Sequence, residues 1–209
     1  MIIGVFGESG AGKTTSLKNL DPKTTFIIDC DKKGMNWKNW KKDYSFEKHN
    51  YMSTNMYTTV YELIKKINTQ DNLKHIKTVV IDTINGIMVS EEMRILAQQG
   101  GDKRSQWSDL ANHVWGILEY CHDIREDLNV IIIAHSETIS DENGIVKTRI
   151  KTNGRKLEKI VLESMLNVLV WAVREDGKYK FKLSADNCTA KVPLGAFNTD
   201  EIDLSLIHI

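Results

Sequence analysis

The 209 residues suffice for one domain with a sizeable core, and 41% of them are hydrophobic. The 28 basic and 28 acidic residues cancel, so overall charge drives no nucleic-acid binding and any such contact needs a local patch. Cys30, Cys121 and Cys188 form no CxxC pair, which excludes a disulfide framework or cysteine zinc site and predicts reduced thiols in the cytoplasm.

The chain opens on an apolar strand, "MIIGVF", with no basic start and no cleavage site, so no signal peptide is expected. No apolar run approaches the roughly 18 residues of a membrane span, and no membrane contact is expected. The strand leads into "GESGAGKT", in which Gly7, Gly12, Lys13 and Thr14 fit G-x-x-x-x-G-K-[ST]. Glycines let the backbone curl so that its N–H groups point inward at phosphate. This predicts a nucleotide-binding loop made of Gly7, Glu8, Ser9, Gly10, Ala11, Gly12, Lys13, Thr14 and Thr15. Lys13 is expected on the β- and γ-phosphates of ATP and the Thr14 hydroxyl on Mg²⁺. "TTSLKNL" reads as the following helix, its dipole adding positive potential.

A second strand, "TTFIIDC" (24–30), carries Asp29 and Asp31 at its end. Asp29 reads as a loop-bonding residue, and Asp31 as a carboxylate that polarises the water attacking the γ-phosphate. "KKGMNWKNWKKDYSFEKH" (32–49) is basic and aromatic; Trp37 and Trp40 read as core packing on one helix face, with the six lysines solvated. "TVYELIKKINTQ" (59–70) is a helix candidate. "TVVIDTING" is a buried strand ending in Asp82, the Walker B arrangement, in which the carboxylate orients a water on Mg²⁺. The same carboxylate is placed to cap the next helix.

"WSDLANHVWGILEYCHDIRED" (107–127) is helical, with Leu110, Val114, Ile117, Leu118 and Cys121 on one face. "NVIIIAHSE" (129–137) is a strand that ends on His135, a polar group able to sense the γ-phosphate. "MLNVLVWAV" (165–173), "YKFKLSA" (179–185) and "TAKVPL" (189–194) follow closely, with "REDGKY" as a turn, and predict an antiparallel edge. Strand–helix alternation before them implies an α/β fold with a mainly parallel sheet flanked by helices. With no repeat and no low-complexity linker, residues 1–209 read as a single domain.

The order of P-loop, acidic residue, Walker B aspartate and polar strand end resembles a RecA-like core. More narrowly, "VIDTINGI", "IIIAHSE" and "LVWAVREDGKYKFKLSADN" resemble the phage nucleotide-binding proteins of the Sak-type, RecA-like single-strand annealing family, over nearly the whole chain. The resemblance implies an ATPase, slow and DNA-stimulated, acting on single-stranded DNA in phage recombination, in a host cytoplasm. It assigns catalytic roles to Lys13, Asp31, Asp82 and His135, and metal roles to Thr14 and Asp82. Asp31 stands where RecA relatives carry a glutamate one methylene longer, which predicts slow turnover.

The resemblance further implies DNA contact through two loops. One is "AQQGGDKRSQWSD", with Gly100 and Gly101 for flexibility, Lys103 and Arg104 for phosphate and Trp107 for stacking. The other lies in 136–156, whose latter part holds Lys147, Arg149 and Lys151, with a solvated hairpin turning at "DENG" as the alternative. Arg155 or Lys156 is expected to reach a neighbour's γ-phosphate in trans, with intramolecular salt bridges on the helix "GRKLEKIVLE" as the alternative. Self-association as a ring or filament and contact with a phage or host single-strand-binding protein are the implied partnerships. The chain begins at its first strand, so no N-terminal linking segment of the RecA kind is expected. The apolar alternation of Ile202, Leu204 and Leu206 predicts a terminal strand that pairs with its own sheet or a neighbour's. Two other functions fit a P-loop: a small-molecule nucleotide kinase, and a nucleotide-dependent switch that recruits a partner.

Overall fold

The computed structural model describes residues 1–98, 102–140 and 142–206, without the side chains of Lys103 and Arg104. Its strands form a nine-stranded sheet among the described residues, in the order β3-β2-β4-β5-β1-β7-β8-β9, with β6 paired to β5 off that path. The central strands are β1 (Ile2–Gly7), β2 (Thr25–Asp29), β4 (Thr78–Asp82) and the first half of β5 (Asn129–Ser140). They are apolar runs without alternation because helices or loops cover both of their faces. β3 (Tyr51–Ser53) extends the parallel sheet beyond β2.

Three helices fill one face. On α1 (Tyr57–Thr69), Val60, Ile64 and Ile67 turn inward at helical spacing. α2 (Ile84–Ala97) follows β4 directly, and α3 (Lys103–Tyr120) buries Leu110, Val114, Ile117 and Leu118. The other face is closed by Leu17, Met35, Tyr44, Phe181 and Leu206. Trp37 and Trp40 pack against this second core, Trp40 on the Tyr51 ring at 5.0 Å and Trp37 edge-on to Tyr44 at 6.3 Å. They do so from turns and a short 3-10 segment, not from one helix.

The edge beyond β1 changes direction. β7 (Val168–Glu175) is parallel to β1, while β8 (Lys178–Lys182) returns antiparallel through the two-residue turn Asp176–Gly177. β9 (Glu201–Asp203) then pairs antiparallel with β8, so the C-terminal segment completes its own chain's sheet.

Four expectations change. Residues 189–194 form no strand but a single bridge between Lys191 and Leu169; Pro193 has no N–H with which to extend it. The segment after the P-loop is a 3-10 helix, Thr14–Asn19, because two threonines resist the helix and the Ser16 hydroxyl bonds back to the Lys13 carbonyl at 2.5 Å. The second loop region is built as a hairpin: the far half of β5 pairs with β6 (Val146–Ile150). Asp82 does not cap α2, whose N-cap is Thr83.

Candidate functional site

Parallel register lines up the strand ends at one edge of the sheet. Gly7 on β1 lies beside His135 on β5, and Asp82 on β4 lies beside Asp29 on β2. Because β5 runs between β1 and β4, the phosphate loop and His135 border one cleft of about 310 Å³, and Asp82 lies buried behind it. Its lining includes Gly10, Gly12, Lys13, Thr14, Thr83 and His135.

The loop adopts the curl its glycines allow. Gly10 and Gly12 have φ of +83° and +88°, a region that other residues enter only with strain. Lys13 is 6% exposed, and its Nζ donates to the carbonyls of Gly7 and Glu8, each at 2.8 Å. Burial pushes its ammonium down to about 8, against the pull of Asp82. The six-residue 3-10 segment behind the loop aligns few peptide dipoles, so Lys13 and the loop N–H groups supply most of the positive potential.

The Thr14 hydroxyl donates to Oδ2 of Asp82 at 2.8 Å. Asp82 is 1% exposed, and burial raises its carboxyl to about 6 despite that bond. Its Oδ1 is buried with no hydrogen-bond partner. A hydroxyl beside a partnerless buried carboxylate oxygen, at the mouth of an anion-binding loop, fits Mg²⁺ held by Thr14 and Asp82.

Asp31 stands behind the same cleft, bonded to two residues that line it, Thr83 and Lys33. Its Oδ1 accepts the Thr83 hydroxyl at 2.7 Å, and its Oδ2 pairs with Lys33 at 2.6 Å. Against burial, which raises it, the hydrogen bonds from Lys33 and Thr83 hold the carboxyl below its ordinary value. Asp31 is therefore an anion poised at the site. The end of β2 comes this close to α2 because residue 86 is glycine: a Cβ there would lie 2.4 Å from the Cys30 carbonyl oxygen and 3.1 Å from Asp31 Oδ1. Asp29 does not line the cleft; its Oδ2 accepts from the Gly34 N–H and the Tyr51 hydroxyl, both at 2.7 Å.

His135 is half-buried, and burial, then Lys13, lowers its pKa, which favours the neutral ring. Its backbone N–H donates to Asn85 Oδ1 at 2.7 Å, and its carbonyl accepts from the Lys151 N–H at 2.8 Å. Asn85 closes the triangle by donating to the Lys151 carbonyl at 2.8 Å.

The polymer-binding candidates separate. Lys147 and Lys151 are exposed and Arg149 half-buried, at alternate positions of β6 and its exit. Arg149 is paired with Glu137 across the hairpin at 2.8 Å, so part of that charge is neutralised. Trp107 is half-buried against Gly154, where a Cβ would meet its ring at 3.0 Å. Gly100, Gly101 and the side chains of Lys103 and Arg104 lie outside the described residues. Arg155 and Lys156 are exposed on α4 (Arg155–Ile160), with Lys156 bonded to Ser108, and neither lines the phosphate cleft.

Lys33, Asn36, Thr83, Asn85, Gly86 and Tyr179 were not singled out as site residues by the sequence. "DTING" carried a signal for three of them, since small and polar residues immediately after a Walker B strand open the next helix inside the site. For Lys33, one of the lysines expected to be merely solvated, proximity to Asp31 was the sole cue. Tyr179, 42% exposed, comes from β8 to border the cleft.

A family model described as an AAA domain matches residues 1–191. No curated protein matches the sequence. Among solved structures, the chain is 13% identical to an ATPase from the type III secretion system of pathogenic bacteria, with a TM-score of 0.43 over 81% of this chain and 51% of that one. It is 12% identical to the P4 protein of bacteriophage phi6 in complex with ADP, with a TM-score of 0.38 over 88% of this chain and 55% of that one. The chain thus spans about half the length of either.

Proposed function

We propose, from the premise that the chain belongs to the AAA domain family, that it is a slow, RecA-like ATPase acting on single-stranded DNA in phage recombination. The observation that carries the ATPase reading is one cleft lined by Lys13, Thr14, Thr83 and His135, with Asp82 bonded to its Thr14 and Asp31 to its Thr83. ATP would lay its β- and γ-phosphates on the loop N–H groups and Lys13. Mg²⁺ held by Thr14 and Asp82 would add positive charge against those phosphates. Asp31, kept anionic, polarises a water that attacks the γ-phosphorus; the new P–O bond forms as the bond to the β-phosphate oxygen breaks. The water's proton passes through the carboxylate to the released phosphate.

The polymer reading is supported by the hairpin. Lys147, Arg149 and Lys151 stand together on it, and the Lys151 backbone is bonded directly to His135. The candidate phosphate sensor on β5 is thus bonded through its backbone to the exit of the basic strand β6. In this reading the protein assembles as a ring or filament in the host cytoplasm, with Arg155 or Lys156 offered to a neighbour's site. A single-strand-binding protein is a further partner.

A second reading, a nucleotide-dependent switch with little turnover, is favoured by the ion pair that holds Asp31 to Lys33. One experiment separates these readings: ATP turnover with and without single-stranded DNA, then with a panel of nucleoside monophosphates. DNA-stimulated turnover supports the first reading, and tight binding without turnover supports the switch. Phosphoryl transfer to a monophosphate makes the protein a kinase and overturns both.

A further inference from the structure

The loop after β2 is fastened at several points, one of them on the P-loop. Asp29 Oδ2 takes the Gly34 N–H and the Tyr51 hydroxyl, each at 2.7 Å. Gly34, at φ +74°, lies so close to Trp40 that a Cβ would meet its ring at 2.8 Å. Asn36 donates to the Thr15 hydroxyl at 3.0 Å, tying the loop's far side to the P-loop. Lys32 holds a left-handed φ of 58°, a conformation that a lysine adopts only with strain.

These constraints turn Lys33 back over the cleft. It lines the same cavity as Lys13, Thr14, Thr83 and His135. It is a second ammonium at a site built for a polyanion, and Asp31 is its ion-pair partner. That pair is half open to water on the lysine side, with 54% of the Lys33 side chain exposed. A bond of this kind is weak in water and yields readily to a more highly charged partner.

We propose that Lys33 is a cis ligand of the γ-phosphate, which ATP draws away from Asp31. The proposal rests on the cleft being the ATP site. The exchange does two things together: it sets a fixed positive charge beside the transferring group, and it releases the Asp31 carboxylate to polarise the attacking water. ADP, lacking the γ-phosphate, leaves the Lys33–Asp31 pair closed. The residue that restrains Asp31 is thus also the one that detects the substrate.

The test compares the affinities of ADP and a non-hydrolysable ATP analogue by calorimetry, in the unaltered protein and in Lys33→Ala, Lys33→Gln, Lys33→Arg and Asp31→Asn. Removing Lys33 should weaken the analogue about ten- to a hundredfold, the scale of one charge-assisted hydrogen bond, with ADP changed less than about twofold. Lys33→Arg should recover most of the loss. Asp31→Asn should leave analogue affinity intact or tighter while abolishing turnover. An unchanged analogue-to-ADP ratio in Lys33→Ala overturns the proposal, as does an equal loss of both ligands, which would make the loop merely structural. Should Lys33→Ala lose its native circular dichroism, Lys33→Gln, which keeps the stem, decides by the same ratio. If the unaltered protein binds neither nucleotide, the cleft is not an ATP site, and that reading falls together with this one.

Discussion

Gly86→Ala should destabilise the protein although it places a better helix former in a helix. The added Cβ would lie 2.4 Å from the Cys30 carbonyl oxygen and 2.7 Å from its carbon, where ordinary contact begins near 3.4 Å. The end of β2 must therefore retreat by about 1 Å. It cannot do so freely, because the Cys30 N–H is bonded to the Asp82 carbonyl at 2.7 Å. Overpacking of this kind costs about 1–3 kcal/mol. Gly→Ala in a helix returns at most about 1 kcal/mol. The net loss of about 1–2 kcal/mol should lower Tm by about 2–8 °C in a chain of this size. Turnover should fall as well, because Asp31 Oδ1 lies 3.1 Å from the added carbon and must move with the strand. Gly116→Ala on α3 is the matched control: a Cβ there meets nothing within 4 Å. It should raise Tm by about 2–4 °C through propensity alone. Thermal unfolding followed by circular dichroism, with ATP turnover alongside, reads both. A Gly86→Ala protein as stable and active as its parent would refute the close approach between β2 and α2.

Lys13→Met should abolish nucleotide binding in calorimetry yet raise the Tm of the free protein. The folded Lys13 sits at about 8 against 10.5 when unfolded, so the unfolded chain holds this proton to higher pH. Stability from this group is therefore lowest below pH 8 and rises between pH 8 and 10.5 by up to about 3 kcal/mol; the methionine variant should lack that rise. Asp82 has the opposite sign: its folded value of about 6 exceeds 3.8, so the stability it adds is full below pH 3.8 and is lost as pH climbs through 6. Asp82→Asn should flatten the Tm profile across that window; an unaltered profile would mean the carboxylate is better solvated than its burial implies. Neutralising Lys147, Arg149 and Lys151 together should weaken single-stranded DNA binding and lower its salt slope. Because Glu137 already neutralises Arg149, the drop should be nearer about 1.4 than about 2.1, at roughly 0.7 for each phosphate contact.

The sequence announced those parts of the site whose chemistry is local. A glycine-rich turn between strand and helix signals with its spacing alone, and Asp82 and His135 stand at the ends of apolar runs long enough to be strands. What it concealed depends on long-range contacts. Asn85 matters because α2 delivers its side chain to a strand 50 residues later. Lys33 matters because its loop is tied to the P-loop by Asn36, which donates to Thr15, 21 residues earlier. β6 was masked by its own charges: "VKTRI" alternates as a strand should, burying Thr148 and Ile150, but its basic residues drew the reading toward a binding loop. β3 is three residues long, too short for any period to register.

β5 has twelve residues and two settings, its first half locked into the parallel sheet and its second half projecting as one arm of the hairpin. His135 stands at the boundary, a pivot gripped by Asn85 at its N–H and tied to Lys151 through its carbonyl. From there to Ser140 the strand advances about 17 Å at the usual rise of about 3.3 Å per residue. β6 is clamped to the body along its length: the Thr148 N–H donates to the Asn187 carbonyl and the Ile150 N–H to Glu163 Oε1. The basic strand is thus braced against the body like a strut, and its charges keep a fixed place relative to the phosphate cleft.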